Sequence, residues 1–298
     1  MTWIIFTIAA TILQTFRNLE QKILNKKLDA LTVSWSRFIL PLPLAIFGVF
    51  YTHSEASIWF IFHCLVAALF QIGGNFFLLR TIHSKNFGVG IAFYKTEVLQ
   101  SLLFGIIFFG QQVSMIGVVA IIFTTIGMIL MSNFSFNSGV KNFFNSIDKT
   151  ALFGALSGSC FSVSSFSIKF ASEQFTPLGY SYFAAAVIVL LWVILLQNFI
   201  FVAIKSLQSR LVHDLKSLFR AENKMSFVKT GCLSFAGSIC WFSAYAIGNV
   251  IYVKAVGQLE LVIAVAVSYL HLKEKHRIIE LVGIVFTSVG ILTLILFH

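Results

Sequence analysis

The sequence predicts an all-α integral membrane protein in which ten transmembrane helices form two inverted five-helix repeats. Three observations predict this fold class: the composition, a series of ten apolar segments and a weak internal repeat. Of the 298 residues, 58% are hydrophobic and 11% are charged, and the mean hydropathy is +0.91. Soluble domains are about 45–50% apolar and about 25% charged. This composition therefore argues against a soluble enzyme, a disordered chain and a nucleic-acid-binding protein.

Ten apolar segments cover nearly the whole chain and leave no room for a second, soluble domain. A transmembrane helix needs ~20 apolar residues, which matches the length of the segments. They are too long for strands and lack the alternation of a β-barrel. The first segment has no basic start, so we expect a spanning helix there rather than a cleaved signal peptide. The predicted helices cover 2–20, 31–51, 57–79, 87–109, 113–131, 150–170, 178–203, 229–248, 250–271 and 278–297.

Basic residues are distributed unevenly between the connections of these segments. The formal net charge is +10, and 16 Lys and Arg residues follow odd-numbered segments, against only Lys169 and Lys254 on the other side. Because cytoplasmic loops retain Lys and Arg, the bias predicts a multi-pass protein of the plasma (bacterial inner) membrane with both termini outside. The 16 residues are Lys22, Lys26, Lys27, Arg80, Lys85, Lys141, Lys149, Lys205, Arg210, Lys216, Arg220, Lys224, Lys229, Lys273, Lys275 and Arg277.

The two halves of the chain resemble each other. A shift of 163 residues aligns segments three to five with segments eight to ten and pairs two rare acidic residues, Glu97 and Glu260. A shift of 147 residues aligns segments one and two with segments six and seven. Since five is odd, the second repeat enters the membrane in the opposite sense, as in many secondary transporters. The other matched pairs are Gly74–Gly237, Asn86–Asn249, Phe123–Phe286, Thr124–Thr287, Gly127–Gly290, Lys22–Lys169, Leu31–Leu178 and Ser34–Ser181.

The repeats set the expected domain organisation. We predict a first five-helix repeat over 1–131, a linker over 132–149 and a second five-helix repeat over 150–298. In the longest connection, 204–228, leucines recur at 207, 211, 215 and 218 among basic residues. This pattern is typical of an amphipathic helix on the anionic cytoplasmic leaflet, and a docking site for a partner protein is the alternative. Gly154 and Gly158 are spaced for close approach of a neighbouring helix.

These features resemble the EamA-type branch of the drug/metabolite transporter superfamily. The resemblance rests on the two inverted five-helix halves, the sequence His271-Leu-Lys-Glu274-Lys after the ninth segment, and the glycines Gly283 and Gly290 of the last segment. It implies a central cavity lined mainly by helices 1, 3, 4, 6, 8 and 9, and alternating access. The chain departs from the family in having Gln111 at the matching loop of the first half, no proline in helices 4 and 9, and a charge bias that places the termini outside.

Three charged residues lie deep inside apolar segments, where each charge costs ~2.5–3.5 kcal/mol on insertion scales. Lys95 and Glu97 are about ten residues inside the fourth segment, and Glu260 is equally deep in the ninth. Lys95 and Glu97 lie about 200° apart around a helix and cannot pair directly, so Glu260 is the expected partner of Lys95. Tyr94 shares a face with Glu97. We interpret these groups as substrate-binding or proton-coupling residues; a structural ion-pair network is the alternative.

Other polar residues at helical spacing extend the predicted substrate site. Gln and Asn side chains both donate and accept hydrogen bonds, and Trp and Tyr rings stack on flat or cationic ligands. The alternative for each of the pairs named below is packing between helices. For Lys254 the alternative is a side chain that extends its ammonium group to the membrane surface. Arg17 is expected to anchor the first helix at the cytoplasmic interface. The added site residues are Gln71 and Asn75, Trp241 and Tyr245, and Lys254 and Gln258.

The sequence therefore predicts a secondary transporter, not an enzyme, for a small polar metabolite. Acidic and basic groups together favour a zwitterion, such as an amino acid or an amino-acid-derived compound, and a coupling proton is possible. The alternatives are a membrane-embedded lipid-modifying enzyme and a structural membrane protein. The sequence has no nucleotide-binding or catalytic motif. Its four cysteines lie in apolar segments, so we expect no metal, cofactor or disulfide. The expected partners are the substrate and the lipid bilayer; the oligomeric state is left open, with a monomer plausible.

Overall fold

The computed structural model describes residues 2–82, 93–131, 149–267 and 278–297, and every regular element within these ranges is a helix. Residues 132–148 of the predicted linker and the sequence His271–Lys275 lie outside the described residues. The α-helices are α1 (Thr2–Leu24), α2 (Ala30–Ile39), α3 (Leu42–Thr52), α4 (Ile58–Ile82), α5 (Glu97–Ile107), α6 (Met115–Met131), α7 (Lys149–Glu173), α8 (Tyr182–Leu207), α9 (Leu211–Phe219), α10 (Ala221–Ile247), α11 (Val250–Val256), α12 (Leu259–Val267) and α13 (Ile278–Phe297). Two 3₁₀ helices cover His53–Glu55 and Thr176–Leu178.

The chain folds as two compact units, each built from two separate stretches of sequence. Unit 1 comprises Met1–Ile72 and Ser164–Gly248, and unit 2 comprises Gly73–Val163 and Asn249–His298. Each unit therefore contains a part of both predicted repeats.

In unit 1, α1 packs against α10 and α8 packs against α2 and α3. Glycine allows one close approach, because a Cβ atom at Gly48 of α3 would collide with the Leu191 side chain of α8. The buried indole of Trp35 stacks on Phe201 at 6.1 Å and donates its N–H to Asn198 Oδ1 at 3.0 Å. Aromatic packing thus accompanies a satisfied polar group in this core.

In unit 2, α6 packs along α13, and α5 packs against α11. The α6–α13 contact is close at two glycines. A Cβ atom at Gly127 would meet the Gly283 carbonyl oxygen at 2.5 Å, and one at Gly290 would meet the Ala120 carbonyl oxygen at 2.6 Å. Small residues let helices approach this closely in membranes.

Three segments predicted as continuous helices are interrupted. The segment 31–51 forms α2 and α3, bent by 57°, because Pro41 and Pro43 lack backbone N–H donors and their rings disfavour a continuous helix. The segments 87–109 and 250–271 each break before a glutamate, as described below. In the connection 204–228 the four leucines do not share one helix: α8 ends at Leu207, Ser209 has a φ of 54°, and α9 covers only Leu211–Phe219.

Long apolar helices support an integral membrane protein. Among the described residues, four helices are long and apolar enough to cross a membrane, or five if α2 and α3 are counted as one bent span. They lie at 58–81, 149–178, 182–207 and 221–247. Large apolar side chains on them, such as Ile58 and Phe199, are largely exposed, which is typical of a lipid-facing surface. The predicted number of ten spans is not established by these helices.

Candidate functional site

Four charged side chains of unit 2 form two ion pairs. Lys95 Nζ lies 3.0 Å from Glu260 Oε2, which confirms the predicted partner of Lys95. Lys254 Nζ binds Glu97 Oε1. Lys95, Glu97 and Lys254 are only 5–7% exposed, and the Glu260 side chain is 14% exposed. The pairing is reciprocal, since each glutamate binds a lysine from the segment that carries the other glutamate.

Both glutamates follow a break in their helix. Residues 93–95 are helical, Thr96 is a turn, and α5 starts at Glu97. In the second half, α11 ends at Val256, Gly257 and Gln258 form a turn, and α12 starts at Leu259. The 163-residue shift places Gly257 and Gln258 opposite Tyr94 and Lys95, so the breaks occupy nearly the same position of the repeat.

The hydrogen bonds at both breaks tighten from the α to the 3₁₀ pattern. Thr96 N donates to Phe93 O at 3.2 Å, three residues back, and Glu260 N donates to Gly257 O at 3.2 Å. A stretch of 3₁₀ helix within a longer helix often marks a hinge. Each glutamate also lies in the first helical turn after the break, where the helix dipole stabilises a carboxylate.

Aromatic rings flank the two lysines. Lys95 Nζ lies 5.1 Å from the centroid of the Tyr94 ring, and Lys254 Nζ lies 5.9 Å from that of Phe161. Tyr94 and Phe161 themselves meet edge to face at 6.2 Å. Cations are attracted to the faces of such rings, so the rings contribute to holding both ammonium groups away from water.

Helix α7 completes the surroundings with residues that sequence reasoning did not select. Ser162 Oγ lies 2.8 Å from Ser101 Oγ and 3.2 Å from Glu97 O, and Phe161 O accepts from Lys254 Nζ at 3.3 Å. The predicted close approach at Gly158 is confirmed, because a Cβ atom there would lie 3.1 Å from Tyr94 O. The serine-rich sequence of α7 was the signal from which these residues could have been predicted.

Lys254 does not extend to a membrane surface, and that alternative is wrong. Its side chain is 8% exposed and its ammonium group binds the carboxylate of Glu97. Gln258 lies one turn further on, with Nε2 3.4 Å from Lys254 O. Its buried Oε1 accepts no hydrogen bond from the described residues.

The remaining predicted site residues fall in both units. Asn75 belongs to unit 2 and is fully buried. Gln71 belongs to unit 1 and accepts a hydrogen bond at 2.9 Å from Gln197. Trp241 and Tyr245, also in unit 1, stack on each other with ring centroids 5.6 Å apart. Arg17 of unit 1 is only 5% exposed, so the expected interfacial anchor is a buried side chain.

A second charged cluster, in unit 1, was not predicted. Lys205 is fully buried, with Nζ 2.6 Å from Asp214 Oδ2, 2.8 Å from Thr32 Oγ1 and 3.4 Å from Asp29 Oδ1. Asp29 also caps α2 by accepting from the backbone N–H groups of Leu31 and Thr32. This cluster ties the start of α2 to α8 and α9, and it explains why α9 buries Asp214.

Hydrogen bonding and charge control the ionisation of the two aspartates. Burial raises the pKa of Asp214, but hydrogen bonds from Lys205 and His213 and the Lys205 charge outweigh burial, so the pKa lies below its usual value. Burial also raises the pKa of Asp29, but the hydrogen bonds from Thr32 and the charge of Lys205 have the larger effect. The pKa of Asp29 therefore also lies below its usual value. Both carboxylates are therefore charged at neutral pH.

The long apolar helices indicate an integral, multi-pass membrane protein. The chain belongs to the EamA-like transporter family, whose model matches residues 148–296, half of the chain. A solved structure described as "Crystal structure of protein" is similar over 100% of this chain and 98% of its own, with a TM-score of 0.70 and 11% identity. At this identity the likeness shows the fold alone. No curated protein sequence matches the chain.

Proposed function

We propose that this protein is a secondary transporter of a small, zwitterionic metabolite, such as an amino acid or an amino-acid-derived compound, and that it works by alternating access. In this proposal ten spans form two inverted repeats, 1–131 and 150–298, with both termini outside the plasma membrane. Family membership supplies the transporter class. The single observation that carries the finer proposal is the reciprocal pairing of Lys95 with Glu260 and of Lys254 with Glu97.

The energetics of burial favour a functional role for these charges. Replacing a buried ion pair by well-packed apolar residues is often neutral or stabilising, so stability alone does not require four buried charges in a membrane. Intramembrane ionisable residues commonly belong to substrate or ion pathways. The pairs of unit 2 fit this pattern, because they are four ionisable side chains buried in apolar segments and each is bound by an opposite charge.

The balance of charges favours a zwitterion. An ion pair presents one ammonium and one carboxylate, and a zwitterion presents the same two groups. A substrate carboxylate can take the place of Glu260 beside Lys95 while its ammonium takes the place of Lys95 beside Glu260, without leaving a bare charge. A substrate with a single charge would leave one partner of the pair uncompensated, which is costly in a low dielectric.

The breaks beside both glutamates supply a means of movement. Broken helices near the midplane, with charged or polar groups at their ends, are a recurring feature of secondary transporters. At the Thr96 and Gly257 breaks the backbone has fewer regular α-helical bonds to lose, so the helix halves can change angle there. A coupling proton would bind one of the glutamates once the substrate carboxylate has taken the place of that glutamate beside the paired lysine.

Uptake into proteoliposomes tests the proposal. A mixture of radiolabelled amino acids and their derivatives is offered with and without a pH gradient to the wild type and to the Glu97→Gln and Glu260→Gln variants. We expect each variant to lose most of the uptake, whereas Glu173→Gln, which removes a half-exposed partner of Lys169, retains it. Unchanged uptake in both site variants would contradict the assigned role.

A structural role for the ion pairs predicts a different result. If they only hold unit 2 together, replacing Lys95, Glu97, Lys254 and Glu260 together with apolar residues of similar size leaves transport intact. We expect this quadruple variant to reach the membrane and to bind no zwitterion. A cooperative thermal unfolding transition of the purified variant shows that the fold is kept, and equilibrium binding then reports on the site alone.

A further inference from the structure

The junction between α9 and α10 in unit 1 carries three exposed cations that belong to neither of the charged clusters described above. Lys216 lies in the last turn of α9, Arg220 lies between the two helices, and Lys224 is the fourth residue of α10. Lys216 and Lys224 are each four residues, about one helical turn, from Arg220. We call these three residues the basic triad.

The basic triad differs from neighbouring cations because it has no acidic partner. None of its three residues forms an ion pair with the part of the chain that the structure describes. In contrast, Lys229 lies 3.2 Å from Glu20, and Glu222, the acidic residue of the junction, lies 3.9 Å from Lys27. Like charges one turn apart repel each other, so an anion bound at the junction would stabilise it.

Two contacts hold the junction in one shape. Asn223 Nδ2 donates to Ser217 O at 2.8 Å, and the Phe219 ring meets the buried ring of Phe227 edge to face at 5.0 Å. These contacts connect the end of α9 to the first two turns of α10. The basic triad is therefore carried by a backbone that is fixed on both sides of the bend.

The length of α10 places the junction at the level of the lipid headgroups. The helix has 27 residues and is about 40 Å long, which exceeds the ~30 Å hydrocarbon core and approaches the thickness of core and headgroup regions together. Its charged residues, Glu222, Lys224 and Lys229, all precede Thr230, and the rest of the helix has none. The start of α10 is therefore the end that lies among the headgroups.

An exposed apolar strip continues from the junction along α10. Met225, Val228 and Cys232 recur at spacings of three and four residues, so they share one face of the helix. All three are exposed, Met225 by 68%. On α9, the exposed Val212 and Phe219 add apolar surface next to the triad. Cations beside an apolar surface match a phospholipid, which joins a charged phosphate to apolar chains.

We propose that the α9–α10 junction binds an anionic phospholipid, with Lys216, Arg220 and Lys224 around its phosphate and the apolar strip of α10 along an acyl chain. The partner is a lipid and not an acidic protein, because the triad adjoins an apolar surface at headgroup depth. The site goes beyond the proposed function and does not use the ion pairs of unit 2. Its surface is formed at a bend between two helices, whereas the leucine pattern predicted one amphipathic helix.

Native mass spectrometry of the purified full-length protein tests the site by measuring the affinity of the first bound lipid in detergent. The probes are dioleoylphosphatidylglycerol, which is anionic, and dioleoylphosphatidylcholine, which has the same chains and no net charge. A basic residue near an anionic headgroup strengthens binding by about five-fold. We therefore expect the wild type to prefer phosphatidylglycerol by at least about ten-fold. Arg220→Gln combined with Lys224→Gln should remove most of this preference and leave phosphatidylcholine binding unchanged.

Arg210→Gln combined with Lys229→Gln is the matched control. It removes the same charge from residues that are 52% and 53% exposed, but each already lies beside an acid, Asp214 at 3.8 Å and Glu20 at 3.2 Å. This variant should bind phosphatidylglycerol as the wild type does. Equal losses in the two double variants would reveal a general effect of net charge and would overturn the proposal. A cooperative unfolding transition of each variant shows that the fold is kept.

The apolar strip and the nature of the ligand are tested separately. Met225→Gln, which makes the strip polar, should weaken binding of both phospholipids by about three-fold. Equal affinity of the wild type for the two phospholipids would overturn the proposal. Displacement of phosphatidylglycerol by an equal concentration of sn-glycerol 3-phosphate would assign the junction to a soluble phosphate, and displacement by a deca-glutamate peptide would assign it to an acidic protein; either result would overturn it too. Since the readout is lipid binding, failure here is independent of any failure of uptake.

Discussion

Phe123 stacks on Phe286 with ring centroids 5.5 Å apart and an interplanar angle of 18°, and the two residues are related by the 163-residue shift. In a two-fold arrangement a residue touches its own mate only close to the axis. The neighbouring contacts are reciprocal as well: a Cβ atom at Gly127 would meet Thr287, and one at Gly290 would meet Thr124. These contacts between α6 and α13 support the proposed inverted repeat.

The reciprocal glycine contacts predict matched losses of stability. Gly127→Ala and Gly290→Ala each place a methyl group against backbone of the facing helix, at 2.5 Å from Gly283 O and 2.6 Å from Ala120 O. Because backbone cannot move aside as a side chain can, we expect each variant to lose about 1–3 kcal/mol. The loss is measured as a fall in the thermal unfolding midpoint of the purified protein.

Gly237→Ala is the control for the glycine variants. Its added methyl group would lie 3.5 Å from the Leu13 side chain, which is ordinary contact, so the unfolding midpoint should stay near that of the wild type. A neutral Gly127→Ala variant, or an equal loss at Gly237, would show that the α6–α13 contact is looser than the geometry indicates.

The reciprocal ion pairs predict a strong energetic coupling. Glu260→Gln removes the carboxylate that binds Lys95 and should destabilise the protein by about 3–5 kcal/mol. Lys95→Met combined with Glu260→Leu removes both charges and should recover much of that loss. A double-mutant cycle on the unfolding free energies measures the coupling, and the same result is expected for Lys254 and Glu97.

Lys169 and Glu173 provide the contrast for this cycle. They form an i, i+4 pair at 3.4 Å in which the Glu173 side chain is 42% exposed. Solvent screens such pairs, so their coupling should be about 0–1 kcal/mol. Equal coupling energies in the two cycles would mean that the Lys95–Glu260 pair is exposed to solvent, which would contradict its burial in the structure.

The partner of Lys95 could be predicted from sequence because two constraints met at one residue. Helix geometry excluded Glu97, two positions away, and the repeat supplied Glu260 as an equivalent acid in the matching segment. The breaks at Thr96 and Gly257 could not be predicted in the same way. Neither contains proline, and a glycine or threonine alone is tolerated within a membrane helix.

The Lys205–Asp214 pair illustrates a different limit of sequence reasoning. Its residues lie in a connection rich in basic residues and leucines, where the dominant pattern indicated a helix on the membrane surface. What decides the structure is the turn at Ser209, which has a φ of 54° and folds α9 back so that Asp214 reaches Lys205. A non-glycine residue in the left-handed region leaves little signal in sequence.

The aspartates of that cluster predict a pH dependence of stability. Because their pKa values are lowered in the folded protein, folding gains stability at pH values above the unfolded pKa, and this gain is lost as the pH falls through the folded pKa. Asp214→Asn should therefore lower the unfolding midpoint at pH 6, and the difference from wild type should shrink as the pH falls below the usual value of 3.8. Glu222→Gln, at an exposed 3.9 Å pair with Lys27, is the control and should change the unfolding midpoint little, because exposed ion pairs contribute little to stability. A constant Asp214→Asn difference down to about pH 3 would mean that Asp214 is not held ionised by Lys205.

The bias of basic residues predicts the orientation of the protein, and labelling of single cysteines measures it. In a variant lacking the four natural cysteines, Ser54→Cys lies between α3 and α4 and Gln208→Cys follows α8; both native side chains are exposed. Because six Lys and Arg residues lie over 205–229, from the end of α8 into the start of α10, and the connection before α4 carries none, positive-inside retention places Gln208 in the cytoplasm and Ser54 outside. A membrane-impermeant maleimide should label Ser54→Cys in intact cells and Gln208→Cys only after permeabilisation. The reverse pattern would invert the assignment and show that a feature other than Lys and Arg counts sets the topology of this chain.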